Sequence, residues 1–317
     1  MLYAVCDLGG TTTQVALVDE RGVIKIDARR PTLLKSSTSI IDGVVDLTEE
    51  LLSAIHKTKS DLDGFGIGVA GLVDYKTGTV VFAPNLPLRN APLKKTMAGR
   101  FGTKVVVEND AAAATLGEAR FGAGRGVKNL VMLTIGTGIG GGIIIDGALY
   151  RGTSGSAGEL GHMVIEAGKA ACECGGQGCL EALASGRAIA ARARTAVKKA
   201  GGGKIVDLAI GDLKNITGEV VSQAAQAGDT TAIAVLAETG RFIGAGLVTI
   251  VNAFNPDMII LGGGVMEGDT LILKTAVAVV KKCGLIPNRD VVKIVPAKLG
   301  NKAGLYGISS LLAETKK

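Results

Sequence analysis

The sequence predicts an α/β protein made of two copies of one domain with a cleft between the copies. Short aliphatic runs interleave with amphipathic helical patterns, as expected of sheets covered by helices. A shift of 127 residues, the distance from Asp19 to Asp146, lays Leu8-Gly9-Gly10-Thr11 on Ile135-Gly136-Thr137-Gly138 and Val15–Asp19 on Gly142–Asp146. A Gly/Thr hairpin between two strands thus occurs twice. The 47 glycines, the absence of Trp and the 3% of aromatic residues imply an aliphatic core with many close backbone approaches.

The elements follow in order. Leu2–Cys6, Gln14–Val18 and Val23–Ile26 read as opening strands, with turns at Gly9-Gly10 and Arg21-Gly22. Ser39 offers a cap for a helix running through Leu52 and Ile55. Phe65–Val69 and Lys104–Val107 read as buried strands, and Asp110–Ala119 as a helix with Asp110 at or before its first turn. The second copy starts at Leu130, and Ile143-Ile144-Ile145 runs as a strand into a hairpin turn at Asp146-Gly147. Helical patterns follow at Leu183–Ala200, Thr217–Ala227 and Thr230–Ala253. Gly201-Gly202-Gly203 terminates the first of these. Met258–Leu261 is a buried strand entering Gly262-Gly263-Gly264, and Leu271–Cys283 and Gly304–Ala313 are helical before a solvated Lys316-Lys317.

Bulk properties exclude several classes. A chain of 317 residues with 47% hydrophobic and 20% charged residues has room for two globular, soluble domains. The net charge of +6 suits an anionic ligand, yet no compact Lys/Arg run or aromatic platform offers a nucleic-acid surface. The start, Met1-Leu2-Tyr3-Ala4-Val5, lacks the basic region and cleavage site of a leader. The most apolar window, Phe242 to Leu261, is broken by Asn252, Asn255, Pro256 and Asp257, so no membrane span is expected there. Cysteines kept reduced beside a metal motif point to the cytoplasm.

Three of the five cysteines, Cys172, Cys174 and Cys179, fall within eight residues, just after Gly158-Glu159-Leu160-Gly161-His162, which holds one of the two histidines. Such a set can close a tetrahedral zinc shell; the plainer alternative is a glycine-rich loop with clustered cysteines. With His162, Cys172, Cys174 and Cys179 as ligands no position stays open for substrate, so the zinc would be structural. Its task would be to make Glu159, Glu181 and the second nitrogen of His162 face a common space.

Asp7-Leu8-Gly9-Gly10-Thr11-Thr12 gathers backbone amides, two hydroxyls and a carboxylate on one turn. Glycines admit a phosphate closely, and the carboxylate can organise a hydrated magnesium ion. Gly136-Thr137-Gly138-Ile139-Gly140-Gly141 repeats the arrangement. Although it satisfies G-x-G-x-x-G, it continues as a strand and hairpin rather than opening a helix, which argues against a dinucleotide fold. Glu108-Asn109-Asp110 follows an apolar strand, so Asp110 is either a helix cap or a general base. Pro84-Asn85-Leu86-Pro87 is a rigid loop whose amide could bind hydroxyls.

Together these segments resemble the ROK family (repressors, open reading frames and sugar kinases). The resemblance rests on Asp7-Leu8-Gly9-Gly10-Thr11, Glu108-Asn109-Asp110-Ala111 with Gly117-Glu118, Gly136 to Gly142, Gly158 to His162 and Cys172 to Glu181, in the family's order over nearly the whole chain. It implies an actin-like, ribonuclease H-related ATPase fold. Residues 1–112 would form a small lobe joined by a C-terminal helix at 303–317. Residues 113–302 would form a larger lobe with the zinc loop 159–181 and dimerisation helices. Asp110 then matches the catalytic base, and Asn85, Asn109, Asp110, Glu159, His162 and Glu181 match sugar contacts. The nucleotide turns are Asp7, Gly9, Gly10, Thr11 and Thr12, then Gly136, Thr137 and Gly138, with Gly262, Gly263 and Gly264 near adenosine.

Three positions depart from the family pattern. Ala112 stands where Asn is frequent, Ala70-Gly71-Leu72 where a Pro-Gly-Pro loop is found, and Leu88-Arg89-Asn90 where some glucokinases carry an aromatic residue. The implied reaction is ATP- and magnesium-dependent phosphorylation of a hexose at the 6-hydroxyl, glucose first, with lobe closure excluding water. N-acetylglucosamine, N-acetylmannosamine, fructose and mannose stay open as substrates, and polyphosphate as a donor. A sugar-sensing regulator would need a DNA-binding helix-turn-helix ahead of Asp7, where six residues stand, and an actin-like filament protein would not need the zinc loop. The expected partners are hexose and ATP, with no nucleic acid or membrane, in a homodimer or dimer of dimers.

Overall fold

The computed structural model describes residues 1–267 and 270–314, so the terminal Lys316-Lys317 lies outside the described residues. In chain order, β1 (Leu2–Leu8), β2 (Thr12–Asp19) and β3 (Ile24–Pro31) precede α1 (Ser37–Ala54) and β4 (Gly64–Val69). Next come β5 (Leu72–Asp74), β6 (Thr79–Phe82), β7 (Arg89–Ala91), α2 (Leu93–Phe101), β8 (Val105–Asn109) and α3 (Asp110–Phe121). The second half opens with β9 (Leu130–Ile135), β10 (Ile139–Ile145) and β11 (Ala148–Leu149). Helices α4 (Leu180–Ala184), α5 (Gly186–Ala200), α6 (Lys204–Leu208), α7 (Gly218–Gln226) and α8 (Thr230–Phe254) follow. Then come β12 (Met258–Gly262), α9 (Thr270–Cys283), α10 (Asn288–Val291), β13 (Lys293–Pro296) and α11 (Ala303–Glu314).

By contacts the chain forms two units. The first comprises residues 1–126, 142–158 and 301–317, the second 127–141 and 159–300. The expected duplication is visible in the strand order. One sheet runs β3-β2-β1-β4-β8 and the other β11-β10-β9-β12-β13, so each strand has a counterpart at the same place. In the first, β1 is antiparallel to β2 and parallel to β4, which is parallel to β8. In the second, β9 is parallel to β12 and β12 to β13. The β10–β11 turn places Asp146 and Gly147 both at positive φ, 51° and 78°, as a two-residue hairpin of the primed type requires.

The first sheet is buried on both faces because alternate residues point to opposite sides. Ala4, Cys6 and Leu8 join Ile40, Val44 and Leu51 of α1 and Leu93 and Met97 of α2 in one core cluster. Tyr3 and Val5 face the other way, against Leu305, Ile308 and Leu312 of α11. Strand β4 explains how close α11 lies. Gly64, Gly66 and Gly68 share that face, and a Cβ on Gly66 would collide with Ile308. Helices α3 and α11 then touch backbone to backbone: a Cβ on Gly117 would strike the Ala303 carbonyl, and one on Gly307 the Ala113 carbonyl.

Several boundaries differ from those expected. Helix α1 is capped by Ser36, not Ser39; the two serines form a capping box in which Ser39 is the third helical residue and answers the Ser36 amide. The pattern Leu183–Ala200 is two helices, because Ser185 leaves α4 extended and caps α5 through the Ala188 amide. Strand β3 begins at Ile24 and continues through polar residues to Pro31, held by its ladder with β2. Gly201 ends α5 in the left-handed conformation, as expected of a terminator. Among the described residues one helix, α8, is long and apolar enough to cross a membrane. It packs on α4, α5, α7 and α9, where Gly240 and Gly244 meet Thr275 and Val279. Its apolar run ends at Asn255, a left-handed cap followed by Pro256.

We expect Gly117→Ala to lower stability by about 1–3 kcal/mol, since the added methyl meets backbone that cannot rotate away. Gly99→Ala in α2, where an added Cβ meets nothing within 4 Å, should raise it by about 0.5–1 kcal/mol. Urea midpoints at unchanged slope measure both. A neutral Gly117→Ala would contradict the close α3–α11 contact.

Candidate active site and metal centre

In the first unit, parallel pairing sets the site. Asp7 of β1 stands beside Gly68 of β4, and Gly68 and Val69 stand beside Glu108 and Asn109 of β8. The carboxyl ends of adjacent parallel strands therefore bring Asp7, Asn109 and Asp110 together, the usual place for ligands in such sheets. The β1–β2 turn is closed by Gly9 N–H donating to the Thr12 carbonyl at 3.0 Å. Thr32 braces it, donating its hydroxyl to the Gly9 carbonyl at 2.8 Å and its amide to the Thr11 carbonyl at 3.0 Å. A Cβ on Gly10 would lie 2.6 Å from that of Asn85, so the Pro84–Pro87 loop reaches the turn.

The cap of α3 is Asn109, whose Oδ1 accepts the Ala112 amide at 2.9 Å while its Nδ2 donates to the Gly71 carbonyl at 3.1 Å. Capping is thus done by the neighbour of Asp110. Asp110 Oδ1 accepts the Ala111 amide at 2.9 Å. Burial pushes the Asp110 carboxyl above the usual range, and Asp7 is pushed up to about 7 by burial first and by Asp110 second. Two neighbouring desolvated carboxylates favour a cation nearby.

Sequence reasoning passed over Glu108. Its carboxylate is buried and accepts Arg151 Nε at 2.8 Å and the Asn109 amide at 3.1 Å. The Arg151 guanidinium lies 5.0 Å over the Tyr75 ring. This pair ties the segment after β11 to the strand end that carries Asn109 and Asp110. In the sequence Glu108 stood within the Glu108-Asn109-Asp110-Ala111 motif without a role of its own.

In the second unit, His162, Cys172, Cys174 and Cys179 each present a ligand atom, all within 4.8 Å of one another. The Cys174 and Cys179 sulfurs are 3.7 Å apart, and Cys172 Sγ is 3.7 Å from His162 Nδ1. Tetrahedral zinc–sulfur bonds of about 2.3 Å give edges of roughly 3.8 Å, so the donors fit the ion. Burial, then the neighbouring thiols, pushes Cys179 up to about 12, a cost that a dication would reverse. His162 turns its other nitrogen, Nε2, to 3.8 Å from Glu159 Oε2, as a metal-bound imidazole does toward an outer partner.

The turn between β9 and β10 is closed by Gly136 N–H donating to the Gly138 carbonyl at 2.9 Å. Glu181 reaches it: its Oε2 accepts the Ile139 amide at 2.8 Å, and a Cβ on Gly138 would collide with that oxygen. The Gly262–Gly264 turn belongs to the same place, since Gly263, at φ 92°, packs against the backbone of Ile135. The Gly186 amide donates to the Gly136 carbonyl at 2.8 Å, and Gly218 packs on Gly186. The helix start at Thr217 was expected and the one at Gly186 was not; that both meet at the Gly136 turn carried no signal in the sequence.

The ROK family model matches residues 3–315. A glucokinase of Streptomyces coelicolor is 39% identical over 311 residues, covering 97% of this chain and 96% of that protein. The xylose repressor of Bacillus subtilis is 32% identical, covering 97% of this chain and 76% of that protein. Among solved structures, a ROK family glucokinase from Streptomyces griseus in complex with glucose and AMPPNP aligns with a TM-score of 0.88 and 37% identity. That alignment covers 98% of this chain and 99% of that one. The family match, with relatives of this identity and coverage, shows that the chain belongs to the ROK family.

Proposed function

We propose that this protein is an ATP-dependent glucokinase, forming glucose 6-phosphate. The observation that carries this is the full-length likeness, at 37% identity, to the Streptomyces griseus enzyme in complex with glucose and AMPPNP. Asp110 is the general base that takes the proton of the sugar 6-hydroxyl as its oxygen attacks the γ-phosphorus. A raised carboxyl pKa suits that task, because a base works best near the operating pH. Asn85 and Asn109 are hydroxyl contacts. Glu159, His162 and Glu181 supply further contacts, Glu181 through the oxygen not committed to Ile139.

The turns at Asp7–Thr12 and Gly136–Gly138 hold phosphate through backbone amides, with Gly262–Gly264 toward adenosine. Magnesium, organised by Asp7, would neutralise phosphate charge, since this transfer depends chiefly on positioning and electrostatics. Zinc on His162, Cys172, Cys174 and Cys179 would hold the loop that carries Glu159 and leads to Glu181. Cytoplasmic residence follows from the need to keep three thiols reduced, and the family supports a homodimer or dimer of dimers.

The discriminating experiment is a kinase assay with glucose, mannose, fructose, N-acetylglucosamine and N-acetylmannosamine, and with ATP and polyphosphate as donors. We expect the highest kcat/KM for glucose with ATP, with weaker use of mannose. Buried polar groups left unpaired by a poorer sugar impose that selection. Preference for an acetylated sugar would overturn the glucose assignment, and the absence of turnover with any sugar would favour a sensor like the xylose repressors.

Asp110→Asn should retain glucose binding by calorimetry while turnover falls at least about a hundredfold. In the wild type, kcat/KM should fall as pH drops through the raised Asp110 pKa, because the protonated form cannot accept the hydroxyl proton. The variant should lack that acid limb. A folded Asp110→Asn protein with near-normal turnover would refute the assignment.

Metal analysis should find one zinc per chain. Cys179→Ser should lose zinc, lower the melting temperature and weaken glucose binding, since metal-binding energy in such a loop is also folding energy. Fully active protein free of zinc would contradict this.

A further inference from the structure

One side chain in the second unit touches both the cysteine loop and the Gly136–Gly138 turn. Arg187, in the first turn of α5, donates Nε to the Thr137 carbonyl at 3.2 Å. Its Nη1 meets Glu173 Oε1 at 2.6 Å, and its Nη2 lies 3.9 Å from Glu181 Oε1. Glu173 stands between the ligands Cys172 and Cys174. Glu181 meanwhile holds the next peptide of the turn by accepting the Ile139 amide.

A trans peptide is planar, so its carbonyl and the following N–H point in opposite directions. By holding the Thr137 carbonyl, Arg187 therefore aims the Gly138 N–H away from itself. With Glu181 on Ile139, consecutive peptides of the turn are fixed from one side. The orientation of Arg187 in turn depends on Glu173, whose backbone the metal ligands on either side would order. We propose that Arg187 is a positioning residue through which zinc in the cysteine loop pre-organises the Gly136–Gly138 turn for nucleotide phosphate. The inference rests on the reading of that turn as a phosphate site.

The coupling is positive and reciprocal. If zinc tightens nucleotide binding by some factor, nucleotide must tighten zinc binding by the same factor. Its size is limited by the Glu173 contact: the two side chains are 65% and 41% exposed, and exposed ion pairs contribute little. A linkage of about two- to fivefold is the range such a pair supports.

The experiment measures zinc affinity by competition with a chromogenic zinc chelator, with and without a non-hydrolysable ATP analogue and magnesium. It uses wild type, Arg187→Gln, Glu173→Gln and the double variant, and calorimetry records analogue binding directly. Wild type should bind zinc about two- to fivefold more tightly with the analogue present. Each single variant should bring that ratio to about one, and the double variant should do no more, whatever its zinc affinity or melting temperature. Analogue binding without any effect on zinc in wild type would overturn this inference alone, as would variants that keep the full ratio. A wild type that binds no analogue would overturn the functional reading and this inference with it.

Discussion

The contact between the backbones of α3 and α11 is the constraint on which the first unit's chemistry depends. Gly117 meets the carbonyl of Ala303 and Gly307 that of Ala113, leaving no room for a methyl group on either side. Helix α3 begins at Asp110, and Gly304 near the start of α11 packs against the carboxylate of Asp7. The same crossing thus sets both acids. Packed interiors transmit displacements because they have few voids to absorb them. A change of one methyl in the crossing would therefore move Asp110 relative to the β1–β2 turn. Glycines on alternate positions of β4 extend the fit by letting α11 lie flat on the sheet.

Polarity at the strand ends is arranged in two opposite ways. Glu108 is buried but fully engaged, by Arg151 and by the Asn109 amide, and so serves as a brace. Asp7 and Asp110 are held above the ordinary carboxylate range, chiefly by burial. The brace gives the strand ends rigidity, and the two under-compensated acids retain a demand for a cation or a proton.

Much of this was legible in sequence because it is local or periodic. The two hairpins were found from a shift of 127 residues, and the strand orders of the two sheets bear out that duplication. The zinc donors were found from spacing, and the structure brings all four together. What escaped is non-local or degenerate. Glu108 and Arg151 are 43 residues apart and Arg187 and Thr137 are 50 apart, so only the fold pairs them. In the Ser36–Ser39 box either serine suits a cap, and the geometry alone shows that the first one is the cap. The break at Ser185 was hidden because the apolar period runs on through it, although a serine before glycine is itself a cap signal. Strand β3 outlasts its apolar pattern because backbone pairing with β2 does not require apolar side chains.

The cysteine loop shows why a metal, rather than a core, would organise this part of the chain. Between His162 and Cys179 the ordered pairing consists of two isolated bridges, Val164 with Cys179 and Ala171 with Gln177. Gly168, Gly175 and Gly178 adopt positive φ, and Val164 is 58% exposed. Such a segment buries too little apolar surface to offset the entropy of ordering it. A closed ligand shell can supply the difference. The benefit passes to α4. Cys179 occupies its N-cap without making a side-chain cap bond, its sulfur being turned to the other thiols. Two residues later Glu181 reaches the Ile139 amide. An ion held by Cys179 would fix where that helix starts, while the direction of the Ile139 peptide is set by the Glu181 bond itself.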